Sequence, residues 1–254
     1  MSVDHERRFG GVARLYGEEG AERLRLAHVC IIGMGGVGSW SAEAIARTGI
    51  GRITTVDLDI VAESNTNRQI QALGDNFGKA KVDAITERIL AINPNCQVSS
   101  IDDFVTPENV EQILGQGFSV IIDAIDQVRP KAAMINFCRR QKLPIVVAGA
   151  AGGQIDPTQI RVADLSQTIQ DPLLARLRTT LRREYGFPQG GKKKFGIPAV
   201  FSTEPLRYPK KDASCDVERG PAGLNCAGFG SSVCVTSVFG MVAAAQAINL
   251  ITQA

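Results

Sequence analysis

Behind a glycine-rich turn, this chain sets out acids, an amide and cations in an order that suits phosphate chemistry. Gly33-x-Gly35-x-x-Gly38 is followed by Asp57, Asp59, Asn65, Arg68, Lys81 and Asp126. Gly33 allows a tight turn, Gly35 lets backbone N–H groups approach a phosphate, and Gly38 lets a helix pack close to the preceding strand. The N-terminus of that helix favours negative charge. Alone, the glycine pattern does not separate a dinucleotide from ATP. The polar set does. A nicotinamide enzyme needs an acid after its second strand for a ribose but has no use for an Asn, an Arg and a Lys beside it. A triphosphate needs cations on its phosphates and a carboxylate for Mg²⁺, so that charge developing in phosphoryl or adenylyl transfer is neutralised. Asp126 suits the metal role because it follows a strand's carboxyl end. Each residue also has a plainer structural use: Asp57 and Asp59 as turn caps, Lys81 as a snorkelling side chain, Arg68 as partner to a carboxylate.

The elements that must position these residues are legible in the hydrophobic pattern. An uncharged β-type run (29–32) enters the glycine turn, residues 39–48 read as a helix, and a second run (52–56) ends at Asp57. Residues 63–69 are too rich in Asn for a helix interior and read as a loop. Val82, Ile85, Ile89 and Ile92 fall at helical spacing in a helix spanning 79–92, which stops before Pro94. A strand (97–101), a helix beginning near Pro107 and a continuous apolar strand (118–122) follow, with Asp123 and Asp126 at or just beyond the end of that strand. A helix (130–141) and a buried strand (144–148) lead into Gly149–Gly153. The alternation predicts an α/β fold: doubly wound, Rossmann-like, with a mainly parallel sheet and ligands at the strand carboxyl ends.

Around this core the chain reads as one domain over 1–254, with a nucleotide-binding core at about 8–150, a basic substrate-facing extension at about 151–230 and a buried helix at about 231–252. Residues 6–11 read as a polar arm before a helix near 18–26. Arg8 and Arg14 on that arm are either solvated or contact a phosphate in the same or a neighbouring subunit. In the extension, short strands (159–163 and 199–203) flank a basic helix (171–185), and the stretch 186–198, with its Gly-Gly-Lys-Lys-Lys run, is expected to be mobile. Net charge is only +2, but residues 170–211 hold ten Lys/Arg against three Asp/Glu, so the remainder sums to −5. Such asymmetry points to a polyanionic partner, RNA above all, unless the run is a solvated face.

The six cysteines form no C-x-x-C pair, which removes a sequence-evident zinc site. Without a signal peptide they read as reduced thiols of a cytoplasmic protein. Two histidines, His5 and His28, lie away from the polar set, so imidazole catalysis is not expected. No charged side chain follows Arg219. The span 231–251 is apolar enough to mimic a membrane helix, but its Gly, Gln, Asn and Ser/Thr content and its lack of basic flanks on the C-terminal side favour a core or dimer-interface helix.

These motifs carry a family resemblance. Gly33-x-Gly35-Gly36-x-Gly38, Asp57-x-Asp59, Ser64-Asn65-x-Asn67-Arg68-Gln69, Gly78-x-x-Lys81, Ile92-Asn93-Pro94 and Asp123-x-x-Asp126 resemble the ubiquitin-activating-type adenylation superfamily in order and spacing over about residues 8–150. Arg8-Phe9-Gly10-Gly11, Ala13-Arg14-Leu15-Tyr16-Gly17, Ala46–Gly51, Asp102-Asp103-Phe104 and Ala151–Thr158 resemble its tRNA threonylcarbamoyladenosine dehydratase branch over nearly the whole chain. The resemblance implies homodimers that use Mg²⁺-ATP to cyclise threonylcarbamoyladenosine in tRNA. It implies Gly35 and Gly36 near the phosphates, Asp57 at the ribose and Asn65 on the phosphates, with Gly33, Gly38, Asp59 and Arg14 also among the nucleotide-binding residues. Arg68, Lys81 and Asp126 are implied as the catalytic set, with Asp126 also serving the metal. The other branch activates the C-terminal Gly of a sulfur-carrier protein and stays open as an alternative. A monovalent cation and a cysteine desulfurase or sulfur-acceptor partner also stay open. Two departures stand out. The paired C-x-x-C zinc ligands of carrier-activating relatives are missing, and Gly11 stands where those enzymes supply an arginine across the dimer, so either Arg8 or Arg14 takes that role or no residue does.

Overall fold

The computed structural model describes residues 4–190, 193–208 and 229–253. Its centre is a seven-stranded sheet, its inner strands runs of β-branched and apolar residues and its edge strand β3 more polar: β1 (His28–Ile32), β2 (Arg52–Val56), β3 (Gln97–Ile101), β4 (Val120–Asp123), β5 (Ile145–Ala148), β6 (Ile160–Asp164) and β7 (Pro198–Ser202). They lie in the order β3-β2-β1-β4-β5-β7-β6. All pairs are parallel except β6 with β7. The strand order reverses direction at β1, between β2 and β4, the point at which doubly wound sheets open a crevice for ligands.

Side chains alternate across each strand, so the sheet feeds two cores. Val29 and Ile31 pack with Ile53, Val120 and Ile122 under α1 (His5–Leu26), α2 (Gly38–Ala46), α3 (Lys81–Ile92) and α7 (Val233–Thr252). Cys30 and Ile32 pack on the other face with Ile121 and Val147 under α4 (Val110–Leu114), α5 (Val128–Gln141) and α6 (Pro172–Glu184). The apolar α7 is a core helix along one side: Val235, Phe239, Ala243, Ala244, Ala247 and Ile248 are buried, while Val233, Met241 and Leu250 are exposed. It crosses α2 at Gly240, where a Cβ would stand 2.4 Å from the Val37 carbonyl oxygen, and Ser41 Oγ donates to the Gly240 carbonyl at 3.0 Å.

Three expectations are corrected. Residues 6–11 are not a loose arm but part of α1, which starts at His5 with the Asp4 carboxylate accepting the Arg7 N–H, and bends at Gly17 (φ 77°, ψ 164°). Gly10 and Gly11 cost a helix about 1 kcal/mol each relative to Ala, and tertiary contacts offset that cost: Phe9 is buried and Arg8 donates to the Ile92 carbonyl at 2.7 Å. Helix α4 begins three residues after Pro107, behind a turn in which Asn109 Oδ1 accepts the Thr106 N–H. The described part of the 186–198 stretch is pinned: Phe187 and Phe195 are buried edge to face, and the Asp164 carboxylate accepts the N–H groups of Phe195, Gly196 and Ile197.

Candidate active site

The glycine turn is built by contacts only glycine can make. Gly33 has φ 90° and donates its N–H to the Val56 carbonyl at 2.8 Å. A Cβ on Gly38 would sit 1.7 Å from the Gly33 carbonyl oxygen, so α2 starts directly against β1. Gly35 has open space where a Cβ would be, and no side chain caps the α2 N-terminus. In its first turn the Ser39 N–H donates to the Gly35 carbonyl at 3.1 Å, which leaves the Gly38 and Trp40 N–H groups available to an anion.

Asp57, at the end of β2, ties that turn to the next strand. Its two carboxylate oxygens accept the Met34 N–H at 2.6 Å and the Asp59 N–H at 2.9 Å. Burial pushes its carboxyl above the ordinary range, against the opposing pull of the Lys81 ammonium 3.9 Å away. Lys81 opens α3 and is only 6% exposed, with Nζ on Asp59 Oδ2 at 2.6 Å. Both acids therefore converge on one ammonium.

Asn65 ends a short 3₁₀ turn, and its carboxamide oxygen already accepts the Ala62 N–H at 3.0 Å, so its NH₂ end is what it can offer a ligand. Arg68 donates to the Ser64 carbonyl at 2.8 Å and to Asn67 Oδ1 at 2.9 Å. Its aliphatic stem lies 3.1 Å from where a Gly36 Cβ would be, and desolvation lowers its pKa. At the end of β4 the two acids divide. Asp123 is fully buried, raised by burial and paired with the equally buried Lys131 at 2.8 Å. Asp126 is half-buried and faces the cleft.

Gly33, Gly35, Gly36, Asp57, Asp59, Asn65, Arg68, Lys81 and Asp126 all line one cleft of about 350 Å³ across the strand carboxyl ends. Gly38 lies beneath it, packing α2 against the turn. Arg14 is not brought there by its own chain; it borders a separate groove on α1 with Arg7, Gly10 and Gly11. Phe104 and Val105 after β3, and Leu206, Phe229 and Ser231 on the far wall, also line the cleft, beyond the predicted site residues. A carboxyl-end rule would have reached the first pair. No local pattern marks Phe229, which joins the cleft only through tertiary packing.

No described thiol lines this cleft. Burial pushes Cys96 up to about 11 and Cys138 up to about 12, and raises Cys30 as well. Cys234 is exposed at the start of α7, and Cys215 and Cys226 lie outside the described residues. Among the described residues no group of three or more His, Cys, Asp or Glu gathers as a metal cage. The lone Asp126 still fits Mg²⁺, which is commonly held by one or two carboxylates together with substrate phosphates.

A doubly wound sheet, a helix N-terminus without a side-chain cap, a buried acid after the second strand and an Asn-Arg-Lys set in one cleft fit a nucleotide-binding protein of the triphosphate-using class. More narrowly, the chain belongs to the ThiF family, whose model matches residues 9–254. It is 55% identical over 247 residues to the tRNA threonylcarbamoyladenosine dehydratase of Escherichia coli K12, spanning 95% of this chain and 92% of that relative. Two crystal structures of the Escherichia coli dehydratase, each 52% identical, superpose on it. The complex with ATP gives a TM-score of 0.88 and covers 98% of this chain and 95% of the other. The complex with AMP gives 0.89, covering 99% and 98%.

Proposed function

We propose that this protein is an ATP-dependent tRNA-modifying enzyme that cyclises N6-threonylcarbamoyladenosine. One observation carries the reading: Asn65, Arg68, Lys81 and Asp126 meet Asp57 around an uncapped helix N-terminus in one cleft. Asp57 accepts a ribose hydroxyl of ATP, with Asp59 beside it. The α2 N–H groups, Asn65, Arg68 and Lys81 hold the phosphates and neutralise the charge that grows as the α-phosphorus is attacked. Lys81 then exchanges part of its contact with Asp59 for phosphate oxygen. Asp126 would hold Mg²⁺, which when bound neutralises phosphate oxygens.

The threonyl carboxylate attacks the α-phosphorus, forming an acyl–phosphate bond and expelling pyrophosphate. A nucleophile within the same modified nucleoside then attacks the activated carbonyl, loses its proton, closes the ring and releases AMP. Water is removed overall, its oxygen leaving in AMP. Ring closure needs no thiol, because a reactant held in place supplies much of the rate.

Several further features belong to this reading. The chain works as a homodimer in the cytoplasm, with the exposed side of α7 around Met241 and Ala245 covered by a second copy and Arg14 reaching the partner's cleft. The basic extension, including the exposed Arg176, Arg183, Lys193 and Lys194, faces tRNA phosphates. A cysteine desulfurase or sulfur acceptor is not required by the chemistry; Cys234 is the exposed described thiol such a partner would meet. Activation of a sulfur-carrier protein is the second reading, and the missing zinc-ligand pairs weigh against it. AMP release decides between them: modified tRNA alone should trigger it. Release with a carrier protein and not with tRNA would select the second reading.

A further inference from the structure

The residues around the cleft follow strand order, and one end of that order has no nucleotide group to serve. Phe104 follows β3, Asp57 follows β2, Gly33–Gly36 follow β1, Asp126 follows β4, Gly149–Gly152 follow β5 and Leu206 follows β7. With ribose at β2 and phosphates at β1 and β4, the base of ATP lies toward β3. An acid group seeking the α-phosphorus therefore enters from the β5–β7 end.

That entrance is aromatic and built. Phe229 and Leu206 wall the cleft there, and Tyr208 packs on Phe229 with ring centroids 5.2 Å apart and a 53° tilt. Gly153 fixes both segments: its carbonyl accepts the Arg207 N–H and its N–H donates to the Gly230 carbonyl, each at 2.8 Å. At φ +75°, with Phe229 Cδ1 2.9 Å from the place of a Cβ, this position takes glycine alone. Despite this support the Tyr208 side chain is 73% exposed. On its other side a groove of about 440 Å³ leads past Leu206 to Arg178 on the basic helix α6. A ring offered to solvent between a phosphate-activating cleft and a groove that ends at Arg178 matches how single-stranded nucleic acid is held, with bases on aromatic faces and cations on the backbone.

We propose that Tyr208, backed by Phe229, is the stacking shelf for the substrate nucleobase. The modified adenine, turned out of the tRNA stack, lies on the Tyr208 ring; its carboxylate-bearing substituent passes Leu206 toward the α-phosphorus, and Arg178 and its α6 neighbours hold the flanking phosphates. This subsite rests on the proposed function. The test uses the full-length protein with Tyr208→Ala, Tyr208→Phe and Phe229→Leu, measuring ATP affinity by calorimetry and kcat and KM for modified tRNA by AMP release. Tyr208→Ala should raise KM for tRNA or lower kcat/KM by roughly 5- to 150-fold, the range carried by one base–aromatic stack, with ATP affinity unchanged. Tyr208→Phe, which keeps the ring, should restore tRNA use, and Phe229→Leu should weaken it in the same direction as Tyr208→Ala. Wild-type KM and kcat/KM in Tyr208→Ala would overturn the shelf while leaving the enzyme reading intact. Should Tyr208→Ala lose ATP affinity through misfolding, Phe229→Leu decides, and wild-type tRNA kinetics there overturn the shelf. If the wild-type protein itself releases no AMP with modified tRNA, the underlying function fails and the shelf falls with it.

Discussion

Asp123 and Asp126 are three residues apart, yet packing gives them opposite roles. Asp123 is sealed beneath the cleft on Lys131, whereas Asp126 is left facing it. Replacing Asp126 by Ala should therefore lower AMP formation by about a thousandfold or more, about 4 kcal/mol of barrier, without changing the thermal unfolding midpoint. Near-wild-type turnover in that variant would remove it from the metal role. Asp57 carries the pH dependence. Burial raises its carboxyl above the ordinary aspartate value, so on acidification it protonates earlier than an exposed aspartate and would lose the acceptor proposed for a ribose hydroxyl. ATP affinity, followed by calorimetry against pH, should fall as pH descends through that raised value. Asp57→Asn should bind ATP about 10- to 100-fold more weakly near neutrality, as losing a charge-assisted hydrogen bond implies, and should lack that acid-side step. The residue types of this site were readable because phosphate chemistry demands cations and acids of fixed kinds. Arg14 was not placeable, since nothing in its local sequence says which chain's cleft it serves.

At the level of elements, α2 couples the core to the cleft. Its N-terminus faces the cleft, and its first turns are crossed by α7 at Gly240, too close for any side chain. Gly240→Val should force the two helices apart at a cost of about 1–3 kcal/mol of stability, the usual range for overpacking. Because Val37 at the head of α2 is what the new side chain meets, ATP affinity should fall as well; thermal melts and calorimetry on the same variant check both. Strands and long helices were legible because buried parallel strands are continuous apolar runs and α3 keeps a 3.6-residue period. Errors gathered where tertiary contacts outweigh local preference. Two glycines hid the first half of α1, whose stability comes from Phe9 burial and the Arg8 bond to α3. A lysine-and-glycine run hid the anchoring of its flanks by Phe187 and Phe195.

Across the whole molecule, one sheet joins the two halves of the proposed function. The β1–β4 half carries the residues proposed to hold the nucleotide, and β7 and α6 lead to Leu206, Tyr208 and Arg178 on the side proposed to face tRNA. Alternating strands and helices made the first half readable. The antiparallel return of β6 on β7, and the far wall this gives the cleft, came from packing that no short motif encodes. If Arg14 completes the partner's cleft, mixing Arg14→Ala with Asp126→Ala subunits should recover AMP-forming activity that neither variant shows alone, because one cleft of each hybrid dimer is then intact. Failure of hybrids to regain activity would assign the arginine elsewhere. What the bound triphosphate is spent on decides the function. Incubating the protein with ATP and tRNA carrying threonylcarbamoyladenosine, and quantifying AMP alongside the mass of the released nucleosides, tests this most directly. One AMP should form for each nucleoside that loses a single water, and none with unmodified tRNA. An unchanged nucleoside mass, or ATP turnover indifferent to the modification, would contradict it.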